Sequence, residues 1–359
     1  MMAEVTEEIV RNALSKVMDP ELNRDLVSLG MVKDIKVKGG EVTVEVQLTT
    51  PACPLKKKIE EDCRKAIEAI PGVGSVTINL TAKTIPGLPK KEAIPGVKNV
   101  IAIGSGKGGV GKSSLALNIA LALHNQGAKV GLLDADIYGP SVPIMVGIPY
   151  GKKPAIKDNL IIPHEKFGLK LISVGFFVEE EKPLIWRGPI LHKTLETFIR
   201  EVKWGELDYL IVDLPPGTGD VQLSISQILP ITCGVIVTTP QDVALKDVVK
   251  AAEMFRAVDV PVCGVIDNMS VFVCDQCGKE HRIFGDRPAA MVAAALGSSL
   301  LGEIPLDPIL RSSSDAGQPL LASEEGRNSN VGKIITEIAK NMAGTISCLN
   351  FGATEKSAG

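Results

Sequence analysis

Gly106-Lys107-Gly108-Gly109-Val110-Gly111-Lys112-Ser113 decides the reading of this chain. A glycine, four residues and then Gly-Lys-Ser is the spacing of a phosphate-binding loop. The glycines let the backbone turn tightly and approach phosphate oxygens without Cβ clashes. Successive N–H groups then form an anion nest, and the helix that follows turns its positive end toward it. Lys112 is expected to reach the β- and γ-phosphates of a nucleoside triphosphate, and Ser113 to ligate Mg²⁺. The flanks agree: residues 99–103 (NVIAI) read as a buried strand and 113–125 as a helix. Lys107 is a second lysine that the spacing does not ask for.

Working outward, strands alternate with helices from residue 98 on. Residues 130–133, 169–174, 209–212, 235–237 and 262–266 are short β-rich runs, and 191–202, 221–228, 243–258 and 288–295 read as helices between them. That order predicts an α/β fold, a doubly wound, mostly parallel sheet with ligands at the carboxyl ends of its strands. Two apolar runs end there in aspartate: Leu132-Leu133-Asp134-Ala135-Asp136 and Leu210-Ile211-Val212-Asp213. Asp213 suits a Mg²⁺-associated carboxylate, and Gly217 behind it suits a switch loop that follows the γ-phosphate. Asp136 suits the orientation or deprotonation of the attacking water.

Upstream lies a smaller α+β unit, residues 1–80, in the order α-β-β-α-β. Its hairpin turns at Gly39-Gly40, and Val42, Val44, Val46 and Leu48 alternate along the second strand. Residues 81–97, rich in proline, glycine and lysine, read as a linker. The ATPase-like unit is expected over 98–348, with 331–342 a core-packing helix and 349–359 a flexible tail.

Composition sets bounds. The chain has 359 residues, enough for about two domains, and 45% are hydrophobic. A net charge of −3 gives no basic field for nucleic acid, and no apolar run approaches a membrane span. The acidic start, MMAEVTEEIV, lacks the features of a signal or transit peptide, so a cytoplasmic protein without stable membrane association is expected. Seven irregularly spaced cysteines argue for reduced thiols over a disulfide framework.

Two of them carry a second chemistry. Cys274-Asp275-Gln276-Cys277 can ligate one soft metal ion or cluster. One pair supplies two ligands where a closed site needs four. His281, another cysteine such as Cys263, or the same pair of a second copy across a two-fold axis would complete it; a redox dithiol is a further option. Cys53, just before the predicted helix of the first unit, reads as a reactive thiol or as a small buried hydrophobe.

Together, GKGGVGKS with Lys107, DADIYGPS (134–141), VDLPPGTGD (212–220) and DNMSVFVCDQCG (267–278) resemble the Mrp/ApbC-type ATPases, iron–sulfur cluster carriers of the MinD/ParA class. GEIPLDP (302–308) and SSDAGQP (313–319) fit the same family. DPELNRDLVSLGMV (19–32) and LTTPACPL (48–55) resemble the small iron–sulfur assembly domain often fused ahead of such ATPases. The resemblance implies an ATP hydrolase that works as a homodimer with apo iron–sulfur proteins and cluster donors; the charge balance argues against nucleic acid as a partner. It implies that Lys107 reaches the γ-phosphate bound by the partner subunit and that Asn268 lies near adenine. Cys274 and Cys277 would then hold a labile 4Fe–4S cluster with their mates. The expected nucleotide set is Gly106, Lys107, Gly108, Gly109, Val110, Gly111, Lys112, Ser113, Ser114, Asp213 and Asn268, with Lys107, Lys112 and Asp136 catalytic. The sequence departs from the family at Asp267, where glutamate is usual, at Asp275-Gln276 inside the pair, and at Asp286-Arg287-Pro288. A partitioning ATPase of the MinD/ParA sort and a zinc-binding module with Cys274, Cys277 and His281 are the competing readings.

Overall fold

The computed structural model describes residues 5–87, 91–178, 188–286 and 289–358. The chain divides into two units, Met1–Ile85 with Ala343–Gly359, and Pro86–Met342.

The first unit holds α1 (Glu7–Leu14), β1 (Val32–Lys38), β2 (Glu41–Leu48), α2 (Lys56–Glu68) and β3 (Ser75–Ala82), the order expected from the sequence. β1 and β2 form the hairpin across Gly39 and Gly40, both at positive φ. β2 pairs with β3 in parallel, which requires the crossover that α2 supplies. The alternation in β2 turns Val42, Val44 and Val46 onto one face. There they pack with Val10 and Leu14 of α1 and with Ile59, Cys63 and Ile67 of α2.

The second unit is built on an eight-stranded sheet. Its strands are β4 (Val100–Gly104), β5 (Val130–Asp134), β6 (His164–Lys166), β7 (Leu169–Ser173), β8 (Tyr209–Asp213), β9 (Cys233–Thr238), β10 (Val262–Asn268) and, beyond a small hairpin described below, Leu300–Ile304 at the edge. The order across the sheet is β6-β7-β5-β8-β4-β9-β10-edge. All neighbours are parallel except β6, which runs antiparallel to β7. Every residue of β4, β5, β8 and β9 is buried, as strands covered on both faces must be. Gly104 and Gly234 are required where the Phe255 ring lies against the sheet; a Cβ on Gly234 would stand 2.8 Å from it.

Helices α3 (Lys112–Asn125), α4 (Gly188–Arg200), α5 (Asp220–Ile228) and α6 (Asp242–Ala257) link the strands. These match the predicted helices to within a few residues. The short helix expected from 288 begins at Ala289; Arg287 and Pro288 lie outside the described residues, as do 88–90 of the expected linker. The sequence reading missed the edge strand and β6. Both are short: β6 has three polar residues and pairs with the next strand through a tight turn, and the edge strand pairs with β10 about 35 residues back, Leu300 opposite Val265.

The C-terminal expectation is corrected. The last helix, Asn330–Ala358, runs through the stretch read as a flexible tail from 349. Its residues from Ala343 group with the first unit. Asn350 Nδ2 donates to Ile85 O at 3.0 Å, and the Arg24 guanidinium lies 5.6 Å from the centre of the Phe351 ring. These partners lie far back in the sequence, so the tail's polar composition alone reads as disorder. Among the described residues no helix is long and apolar enough to cross a membrane.

Candidate functional site

The phosphate loop runs from the buried end of β4 into α3. Gly109 and Gly111 sit at φ 78° and 80°, the left-handed region where glycine is favoured. Gly106 and Gly111 are also glycines for want of room. A Cβ on the first would collide with Asp247, and one on the second with the Asn268 amide. Asn268 Nδ2 donates to Val110 O at 2.8 Å, so this residue at the end of β10 braces the loop from the side. From the other side, Gly217 N donates to Ser105 O at 3.0 Å, which seats the loop after β8 against the phosphate loop. Lys107 Nζ donates to Gln241 Oε1.

Lys112 points inward. Its Nζ is 2.5 Å from Asp213 Oδ1 and 3.2 Å from Ser113 Oγ, with both charged side chains buried. Asp134 lies in register beside Asp213 on the neighbouring strand. Its Oδ2 accepts from Ser173 Oγ at 2.8 Å and from Val142 N at 3.3 Å, and its Oδ1 from Asp136 N at 3.1 Å. Burial, and then the nearby Asp213 carboxylate, push Asp134 up to about 8. Asp136 accepts from Gly139 N at 3.3 Å and is also raised, by burial first, while Lys112 pulls it down. The sequence separated Asp134 from Asp136 by spacing only; the structure makes Asp134 the partner of Asp213 and leaves Asp136 nearer the loop that follows.

These residues fit a magnesium–triphosphate. Three carboxylates gather around Lys112, and Asp213 Oδ2 is buried without a hydrogen-bond partner. A cation would satisfy that oxygen, and the glycine cradle would fill with phosphate.

Beside the start of α3 lies a largely apolar cavity of about 380 Å³. Gly111, Ser114, Asn268, Met269, Leu306 and Arg311 are among its lining residues. It lies next to the phosphate loop and has the volume of a small-molecule site. Ser114 Oγ is 3.1 Å from Ser314 Oγ at its edge. The sequence reading had Asn268 near a base and took 302–308 and 313–319 only as marks of resemblance. It did not find that these segments wall a pocket.

Past β10 the chain forms a hairpin of two-residue strands, β11 (Phe272–Val273) and β12 (Glu280–His281), with Cys274 and Cys277 in its turn. Cys274 N donates to Lys279 O at 3.0 Å and Gly278 N to Cys274 O at 2.9 Å. Backbone N–H groups of Cys277 and Gln276, together with the Cys277 side chain, hold the Cys274 thiol below its ordinary value. Cys277 is exposed. The other ligands weighed from the sequence are elsewhere. Cys263 is buried in β10 with its Sγ 3.0 Å from Cys233 Sγ. His281 is exposed on β12 opposite Phe272, and no group of three or more metal-binding side chains occurs among the described residues. Within one chain, then, the hairpin brings two thiols together, with no third metal-binding side chain beside them among the described residues. Cys53 is buried, and burial pushes its thiol up to about 11, against the activated thiol that its position before a helix suggested.

Residues 96–343 match the protein family described as the NUBPL iron-transfer P-loop NTPase, and residues 7–79 match the iron–sulfur cluster assembly protein family. An iron–sulfur cluster carrier protein of Deinococcus radiodurans is 49% identical over 336 residues, covering 93% of this chain and 94% of that protein. The mouse iron–sulfur cluster transfer protein NUBPL is 51% identical over 242 residues, covering 67% of this chain and 76% of its own length. Among solved structures, a nucleotide-binding protein of Archaeoglobus fulgidus in complex with ADP aligns with a TM-score of 0.57 at 34% identity, covering 67% of this chain and 92% of that one.

Proposed function

The chain belongs to the NUBPL-type iron-transfer P-loop NTPase family, and from that premise we propose that it is an ATP-hydrolysing iron–sulfur cluster carrier. Two copies hold a 4Fe–4S cluster between them and pass it to apoproteins. The observation that carries this reading is the cysteine pair: two accessible thiols on a hairpin, with no third ligand beside them among the described residues. A four-thiolate site needs four sulfurs, and a two-fold axis through the pair supplies them. The same symmetry gives Lys107 its task, reaching the γ-phosphate held by the partner.

In hydrolysis the backbone N–H groups of 106–113 cradle the phosphates. Lys112 moves its charge from Asp213 to the β- and γ-phosphates. Ser113 and Asp213 would hold Mg²⁺, which neutralises charge developing on the phosphate oxygens. Asp136 takes the proton of the attacking water, a role suited to a carboxyl raised by burial. Asn268 keeps the loop at its height and lines the pocket for the base. Free cysteines throughout the described chain suit a reducing compartment such as the cytoplasm.

Anaerobic reconstitution with iron and sulfide tests the proposal. Wild type should gain a visible iron–sulfide chromophore at one cluster per two chains, and the Cys274→Ala/Cys277→Ala variant none. One zinc per chain without a chromophore would sink it and favour the zinc module.

A further inference from the structure

Both legs of the cysteine hairpin are rooted beside the phosphate loop. The entry leg leaves β10 at Asn268, which holds Val110 O at 2.8 Å. The exit leg returns through Gly285, at φ +118°. A Cβ on Gly285 would stand 2.8 Å from Pro240 O, so this leg rests on the Pro240 backbone. The next residue is Gln241, whose Oε1 accepts from Lys107 Nζ. The acceptor that holds Lys107 and the backbone that supports the hairpin are thus adjacent in one turn.

That turn is not fully hydrogen-bonded. Thr239, Gln241 and Asp267 line a cavity of about 10 Å³, and Thr239 Oγ1 and Asp267 Oδ1 are buried without hydrogen-bond partners. Asp267 pairs in register with Glu303 on the edge strand, and Arg282, just past β12, lowers the charge stress between them. A hydrogen bond from an ammonium to phosphate is stronger than one to a neutral amide. A triphosphate within reach therefore draws Lys107 off Gln241 and releases the turn.

We propose that Gln241 and Gly285 are positioning residues that link Lys107 to the cysteine hairpin, so that nucleotide engagement changes the exposure of Cys274 and Cys277. This rests on the reading of Lys107 as a γ-phosphate ligand. Neither residue touches the reacting atoms; each acts through the turn at 240–241.

The test uses the full chain, reduced and metal-free, with a maleimide as thiol probe and mass spectrometry to follow Cys274 and Cys277. The other five cysteines, four of them buried and Cys348 half-buried like Cys274, serve as internal controls. Saturating a non-hydrolysable ATP analogue with Mg²⁺ should change the alkylation rate of the pair about fivefold, the low end of ordinary coupling between sites. Gln241→Glu, which gives Lys107 a charged acceptor, should raise the analogue concentration at the midpoint of that response. Gln241→Ala should lower it and move the rate without analogue toward the rate with it. Gly285→Ala should bind the analogue within about twofold of wild type yet lose the response. Arg282→Gln, an exposed change that spares the fold, should weaken the response in the same way. A wild-type rate indifferent to the analogue, or a full response in both Gly285→Ala and Arg282→Gln, would overturn the proposal. Reconstitution of the same preparations with iron and sulfide reports separately on the carrier reading. A chromophore without an alkylation response rejects the link alone.

Discussion

The phosphate loop is framed by strands whose every residue is buried, whereas the cysteine pair rides on two-residue strands with one thiol fully in the open. Around Lys112, Gly106 and Gly111 are fixed by collisions that any side chain would cause, and the end of β10 and the loop after β8 hydrogen-bond to the phosphate loop from either side. Around Cys274, the hairpin ladder has two residue pairs and the turn its own backbone bonds. The difference suits the two tasks proposed for this chain. Phosphoryl transfer gains from donors fixed in advance, because reorganising them in the transition state costs rate. Handing over a cargo gains from the opposite, a site whose local opening is cheap.

The sharpest way to break this contrast is Lys112→Ala. It removes the proposed phosphate ligand and leaves Asp213 buried without its cation. Phosphate release should fall by about 10³, as for loss of a preorganised donor. Removal of one partner of a buried pair should cost about 3–5 kcal/mol of stability in urea. A variant as stable as wild type would mean that Asp213 is better solvated than its burial indicates.

Asp134→Asn is gentler and has a sign that depends on pH. Asp134 titrates near 8 in the folded chain, raised by burial and by Asp213, against about 3.9 when unfolded. The folded state therefore binds the extra proton between those values, and wild-type stability falls as pH rises through that window. Asparagine cannot ionise and keeps an oxygen for Val142 N and Ser173 Oγ. The variant should gain on wild type from about pH 4 to about pH 8, by a few kcal/mol at most, and gain nothing further above. Urea midpoints at several pH values report it. A constant offset across the range would locate the charge stress at another carboxylate.

The sequence was legible where the chemistry is local. The phosphate loop is one uninterrupted spacing, and Asp213 ends an apolar run whose strand could be read directly. The cysteine pair was equally plain, although its spacing could not say what completes it. Asp134 was harder: it shares a strand end with Asp136, and only the register of β5 against β8 shows which carboxylate meets Asp213. The cavity beside α3 draws on segments that meet only in the folded sheet. Gln241 carries no motif, since what matters is that Lys107 reaches it across 134 positions. For Cys53 the sequence left a reactive thiol and a small buried hydrophobe both open; it lies in the core of the first unit, and burial outweighs the helix end.

The smallest expected effect probes the hairpin side of the contrast. Phe272 faces His281 across the ladder, ring centres 6.5 Å apart, and this cross-strand pair is one of the few contacts holding β11 to β12. Such pairs contribute about 0.2–1 kcal/mol. Phe272→Ala should therefore leave the urea midpoint of the second unit almost unchanged, because the hairpin opens locally without the sheet. The same loss, read as local opening, multiplies the open population by up to about fivefold. A reconstituted cluster should then be lost to a chelator faster by that factor, while phosphate release stays as in wild type. If the urea midpoint instead drops as far as it does for Lys112→Ala, the hairpin is part of the cooperative core. In that case cargo release would require strain in the whole sheet, and the cheap opening assigned to this region would have to be abandoned.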